Sequence, residues 1–213
     1  MPTVDEARQW YDPADPVHGF DHVVRVMRLA ERLARELGAD LEIVRAAALL
    51  HDASGAAPGA QEGERMRHEH DSAALAAEVL AREGWPLERI EAVMHCIRAH
   101  RFRGTEPPAS LEAQILFDAD KLDVMGAFGA ARTIGYAVQA GQPIFAVPSE
   151  QFLQTGETEP GEPHSAYHEY LFKLRQVRER LFTDAARRLG ERRHAALEAF
   201  FAQLEAEARG EEV

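Results

Sequence analysis

The groups able to do chemistry in this sequence are imidazoles and carboxylates set among apolar residues at helical spacing. The chain holds ten histidines, and the most informative groups fall in three segments. In HGFDHVVRV, His22 shares a helical face with Val26 and Leu29, so it points toward a core rather than water. In ALLHDASG, His51 follows Val44 and Ala47 on an inward face, and Asp52 is the next residue. Neighbouring residues project roughly 100° apart on a helix, so this pair meets one ion only if the ion lies beside the helix and takes other ligands elsewhere. In LFDADKLDVMGAFG, Asp120 lies on one stripe with Leu116, Val124 and Ala127. A buried carboxylate left alone is costly or takes up a proton; a divalent ion is one partner for it and a basic group such as Arg132 is another. Two imidazoles and two carboxylates form a mixed N/O donor set suited to Mn, Fe, Ni, Zn or Mg. Singly, an inward histidine is more often a hydrogen-bonded core residue, and His-Asp dipeptides are common. The combination points to metal chemistry.

The elements that must position these groups read as helix after helix, rich in Ala, Leu, Arg and Glu, with no convincing alternation of a strand. The first long helix is expected from about Asp21 to Leu37, stopped by Gly38. Asp40 caps a second, LEIVRAAALLHD, that runs on through His51 and Asp52 to end near Gly55. Residues 55–67 carry Gly and Pro and read as a loop. Further helices are expected over about Asp71–Glu83, from Pro86 to about Arg101, and from the Ser110 cap through about Tyr136. The segment RGTEPPAS is a loop, and Gly141–Pro163 an irregular surface excursion. Two amphipathic helices, about Ala166–Leu181 and Thr183–Glu207, close the chain.

A chain of 213 residues suits one well-buried domain. Its net charge of −12 argues against binding a nucleic-acid polymer, which needs clustered Lys and Arg. An acidic protein still takes a small phosphorylated substrate when a metal supplies positive charge locally. Cys96 is the one cysteine, so no internal disulfide forms. With no signal-peptide pattern at MPTVDEARQW and no long apolar run, a cytoplasmic protein without a membrane segment is expected.

The order His22, His51-Asp52, Asp120 resembles the H…HD…D signature of the HD-domain metal-dependent phosphohydrolases. The segments AVMHCIRAHRF, DADKLDVMGAFGAAR and YLFKLRQVRERL look like the small bacterial YedJ-like branch, and the likeness spans about residues 10–205. It implies an all-α, single-domain helical bundle over residues 1–213, with a core over about 18–136, C-terminal helices over about 164–208 packed on it, and the metal at the centre. His22, His51, Asp52 and Asp120 are then the ligands of one divalent ion, and the reaction is hydrolysis of a phosphate ester in a nucleotide or related small molecule, by a monomer or homodimer. On that mechanism Asp52 also orients the attacking water, and Lys121 and Arg25 are placed to hold phosphate oxygens, although either equally suits a solvated helix face.

Departures from the pattern keep rivals open. Some HD nucleotidases carry an acidic residue three or four positions after the His-Asp pair, where this chain has Ser54 and Gly55. A catalytically silent metal- and nucleotide-binding sensor is therefore the alternative, and a helical protein whose His and Asp only bond the core is another. A dinuclear site or a di-iron oxygenase needs extra histidines, and His68, His70, His95 and His100 are available. His95 and His100 project about 140° apart on a helix, which favours one metal, with His100 and then His95 lining the pocket. Asp118, on a stripe with Ile115, Leu122 and Met125, supports the ligands or replaces Asp120 if the register shifts, and Asp123 is the remaining carboxylate there. Cys96, Trp10, Tyr11 and Trp85 read as packing residues.

Overall fold

In this computed structural model the described residues are 1–11, 19–54, 68–101, 104 and 106–211, and every regular element among them is a helix. The first, α1 (Val4–Arg8), was not expected; a capping box fixes it, with Thr3 and Glu6 satisfying each other's orphan backbone N–H groups. The stripe Val23, Val26, Met27, Ala30, Leu33 and Ala34 forms the buried face of α2 (Phe20–Leu37), and Gly38 ends it at φ 73°. The Asp40 side chain accepts from the backbone N–H of Glu42 and Ile43 to start α3 (Leu41–Leu50). This helix is shorter than expected: His51 takes the C-cap, and residues 51–54 are turn. Next come α4 (His68–Arg82) and α5 (Leu87–Ala99), with Pro86 as the N-cap of α5. The predicted loop at 55–67 lies outside the described residues, as does part of RGTEPPAS.

The helix expected from Ser110 to Tyr136 is two. Ser110 caps α6 (Leu111–Asp123), and α7 (Gly126–Gln139) begins after Met125 turns extended at ψ 161° and Gly126 takes φ 68°. The reason is a partner distant in sequence: a Cβ at Gly126 would stand 3.3 Å from the Arg193 side chain, and Arg193 donates to the Leu122 carbonyl, which the break leaves open. The 141–163 excursion contains a short helix, α8 (Glu150–Thr155). The expected Ala166–Leu181 helix breaks at Lys173 into α9 (Ala166–Phe172) and a 3₁₀ helix (Leu174–Arg180), before α10 (Asp184–Arg209).

The chain divides into two compact units. The first, Met1–Asp120 with Phe182–Ala186, packs α2 on α3, α3 on α5 and α4 on α5. Its core is fully buried, built from residues such as Val26, Leu33, Val44, Leu50, Leu80, Ile97 and Leu116. In the second, α9 packs on α7, and Tyr170 stacks face to face on Phe201 with centroids 4.3 Å apart. There the excursion is pinned from within: Glu162 accepts from the Ser149 N–H, its hydroxyl and the Glu159 N–H, and meets the buried His168 ring at 3.0 Å.

Candidate metal centre

The first unit brings together residues from the ends of five helices around Asp52. His22 comes from the first turn of α2, His51 and Asp52 from the turn after α3, and His68 from the first residue of α4. His100 is the C-cap of α5, and Asp120 lies in the last turn of α6. His22, His51 and His100 are almost wholly buried, while the Asp52 and His68 side chains keep about a fifth of their surface. His51 keeps helical dihedrals, φ −61° and ψ −34°, as the C-cap of α3, Asp52 follows in the turn, and the two side chains meet at 3.4 Å although adjacent.

Asp52 divides its two oxygens. Oδ2 faces His51 Nε2 at 3.4 Å and His22 Nε2 at 3.9 Å. Oδ1 faces His100 Nε2 at 3.4 Å and His68 Nε2 at 3.7 Å. Asp120 joins through His22, its Oδ1 standing 3.3 Å from the same Nε2. Two groups therefore share one carboxylate, His22–His51–Asp52 and Asp52–His68–His100, and in each the donor atoms lie within 4.8 Å of one another.

The chemistry of these donors fits a cation. His51 Nδ1 lies 2.8 Å from the Ala48 carbonyl and His100 Nδ1 2.5 Å from the Ile97 carbonyl. A carbonyl only accepts, so both rings carry their proton on Nδ1 and present the Nε2 lone pair to Asp52. A lone pair facing a carboxylate is repulsive unless a positive charge lies between them. No proton serves for His51 near neutrality, because burial pushes its pKa down to about 4. Burial works against charge on Asp52; His51, His100 and His22 hold its carboxyl well below the usual range only in so far as they carry positive charge, and with His51 neutral that charge must come from elsewhere. His51 Nε2 and Asp52 Oδ1 are buried and hydrogen-bonded to nothing. A divalent ion would satisfy both, and the N/O set suits it.

The other expected site residues fall elsewhere or beside this centre. Arg25 is half-buried on α2, one turn beyond His22, and Lys121 is buried directly after Asp120. His95 is held away from the cluster: Nδ1 meets Glu106 at 2.6 Å, and Nε2 accepts from the Ala109 N–H. Asp118 is fully buried but anchors the start of α10, accepting from the backbone N–H of Phe182 and Thr183 and from the Thr183 hydroxyl at 2.7–2.8 Å. Asp123 pairs with Arg132 at 2.8 Å, the partner considered above for Asp120. Ser54 donates its N–H to the Ser72 hydroxyl. Two further residues lie beside the centre: His68, expected only as one of the spare histidines, and Tyr11, expected as a packing residue. His68 directly follows the Gly- and Pro-bearing stretch 55–67, whose sequence carries no helical periodicity, so its direction is not legible there. Tyr11 donates to the Leu49 carbonyl at 2.8 Å, and burial, then the charge of Asp52, holds its phenol protonated well above the ordinary range.

Known proteins resemble this chain along most of its length. YpgQ of Bacillus subtilis is 31% identical over 197 residues, which are 91% of this chain and 85% of YpgQ. A crystal structure of YpgQ in complex with ADP superposes with a TM-score of 0.71 at 28% identity, over 96% of this chain and 97% of that one. A Lactobacillus plantarum protein gives 0.73 at 29% identity, over 98% and 95%. Ribonuclease Y of Cutibacterium acnes shares 42% identity over 81 residues, but these are 38% of this chain and only 13% of that enzyme. The HD domain family matches residues 19–125, the stretch that supplies every group of the centre. With that match and a relative similar along most of both chains, this protein belongs to the HD domain family.

Proposed function

We propose that this chain is a metal-dependent phosphohydrolase that cleaves a phosphate ester of a nucleotide or related small molecule. One observation carries the reading: buried lone pairs of His51 and His100 converge on the ionised Asp52, with His22 and Asp120 alongside. His22, His51, Asp52 and Asp120 would hold the ion. A bound divalent ion supplies charge for phosphoryl oxygens and lowers the pKa of a water toward neutrality. The part-exposed Asp52 orients that water by accepting its hydrogen bond, and Arg25 and Lys121 are the cations nearest in sequence for phosphate oxygens. YpgQ, whose structure holds ADP, supports a nucleotide-like substrate.

The group Asp52–His68–His100 favours a second ion over the single one expected from sequence, because Asp52 offers a separate oxygen to each side. The test is phosphate release from nucleoside mono-, di- and triphosphates by the purified chain loaded in turn with Mn, Fe, Ni, Zn or Mg. Turnover abolished by Asp52→Ala supports the proposal. Nucleotide binding without turnover, whichever metal is present, would instead make the protein a sensor, the reading that Ser54 and Gly55 in place of an acidic residue favours.

A further inference from the structure

Glu69 is the carboxylate that the proposed chemistry leaves unused. It is 5% exposed, in the first turn of α4, immediately after His68. Its Oε2 lies 3.5 Å from His68 Nδ1, the ring atom opposite the one that faces Asp52 at 3.7 Å. Arg101, directly after His100, grips both Glu69 oxygens at 3.2 and 3.4 Å. The pair therefore joins the start of α4 to the residue after the α5 C-cap. That join sets the two rings it flanks, His68 and His100, edge to face with centroids 5.8 Å apart.

We propose that Glu69, held by Arg101, is a positioning residue for metal: its carboxylate faces the Nδ1 edge of His68 and favours the tautomer that keeps the proton on Nδ1, so that Nε2 presents its lone pair beside that of His100. His51 and His100 fix their tautomer with a backbone carbonyl of their own helix. At His68 the atom that faces Nδ1 is instead a side-chain carboxylate oxygen, that of Glu69. Carboxylates behind ligating imidazoles orient the ring and raise its basicity, and losing one typically costs about 10–100-fold in metal affinity. A carboxylate placed only to complement the α4 N-terminus would work as well exposed, and would not need an arginine brought in from another helix.

The inference rests on the reading of Asp52–His68–His100 as a metal-holding group, and the experiment separates the two. The full chain, stripped with chelator, is titrated with Mn²⁺ by equilibrium dialysis and elemental analysis, as wild type and as Glu69→Gln, Arg101→Gln and His100→Ala. Melting temperatures are taken on the same samples. His100→Ala is expected to remove one binding step, and Glu69→Gln to weaken that same step about 10–100-fold. Arg101→Gln, which leaves Glu69 beside His68, should weaken it by less at a similar loss of melting temperature. If His100→Ala loses the step while Glu69→Gln binds as wild type does, the pair is a structural tie and the inference is wrong. If His100→Ala also titrates as wild type, the metal group itself is wrong and the inference falls with it. Should Glu69→Gln not fold, Arg101→Gln decides: an unchanged affinity overturns the coupling between the tie and the site.

Discussion

Removing metal should destabilise the native chain, and the size of the effect follows from linkage. The ion would bind donors that converge only in the folded state, so free metal at about one hundred times its Kd should add about 2.7 kcal/mol. A chain of 213 residues shifts its Tm by about 2–4 °C per kcal/mol, so chelation should lower the Tm by about 5–11 °C. Differential scanning calorimetry of chelated and reloaded protein measures this for each of Mn, Fe, Ni, Zn and Mg. Asp52→Asn sharpens the test. Without metal, the wild type sets Asp52 against the bare Nε2 lone pair of His51 at 3.4 Å. The neutral amide relieves that repulsion and can donate to the ring. The variant should therefore be at least as stable as wild type in chelator and clearly less stable with metal, an inversion of rank. A Tm indifferent to every ion, with Asp52→Asn the less stable protein throughout, would refute the argument: the cluster would then be a self-sufficient polar network.

Other expectations separate structure from chemistry. Asp118→Ala strips three donors at the start of α10 of a buried charged acceptor; it should cost about 3–5 kcal/mol in a denaturant melt and leave metal stoichiometry unchanged. Gly156→Ala forces a side chain onto φ 78° and within 2.0 Å of the Phe172 ring; a loss of about 2–4 kcal/mol is expected, measured by thermal unfolding. The hydrogen bond to His168, foremost among several, depresses the Glu162 pKa to about 2. A lowered folded-state pKa gives stability that is present above the ordinary carboxylate value and drains away as pH falls from there toward 2. Tm against pH should show that slope in wild type and lose it in Glu162→Gln. Burial pushes the Cys96 thiol up to about 12, so a thiol reagent at neutral pH should label it only at the rate of unfolding.

The helices were legible where the signal was local. Gly38 and Asp40 mark a stop and a start that depend on backbone geometry within a few residues, and both lie where the sequence put them. Thr3 and Glu6 carried an equally local signal, but α1 is too short to show a periodicity, so it passed unnoticed. The breaks at Met125 and Lys173 were not legible. The stretch from Ser110 to Tyr136 keeps good helix formers throughout, and what decides the break is Arg193, far off in sequence, filling the space beside Gly126 and bonding the Leu122 carbonyl. Propensity yields to such a partner because a single interior turn is worth little next to packing.

The centre divides along the same line. His22 and Asp120 sit inside regular helices, where a stripe of apolar neighbours tells which way a side chain points, and the structure sets them 3.3 Å apart. The same logic turns Asp118 inward without naming its partner, and His95, given second place at the pocket after His100, stands apart from the cluster. Periodicity reports that a side chain is turned inward, but not whether a partner arrives there from another part of the chain. Glu106 reaches His95, and the Phe182–Thr183 backbone reaches Asp118. For His51 and Asp52 the sequence argument was incomplete in the opposite sense. It required an ion beside a continuing helix, because neighbours on a helix diverge. The chain ends α3 at Leu50 instead, with His51 as a C-cap tied back to Ala48 and Asp52 in the turn that follows. A His-Asp pair at a helix terminus thus escapes the angular penalty that makes it a poor chelate within a helix. That escape is what lets one carboxylate face histidines from α2, α4 and α5 at once.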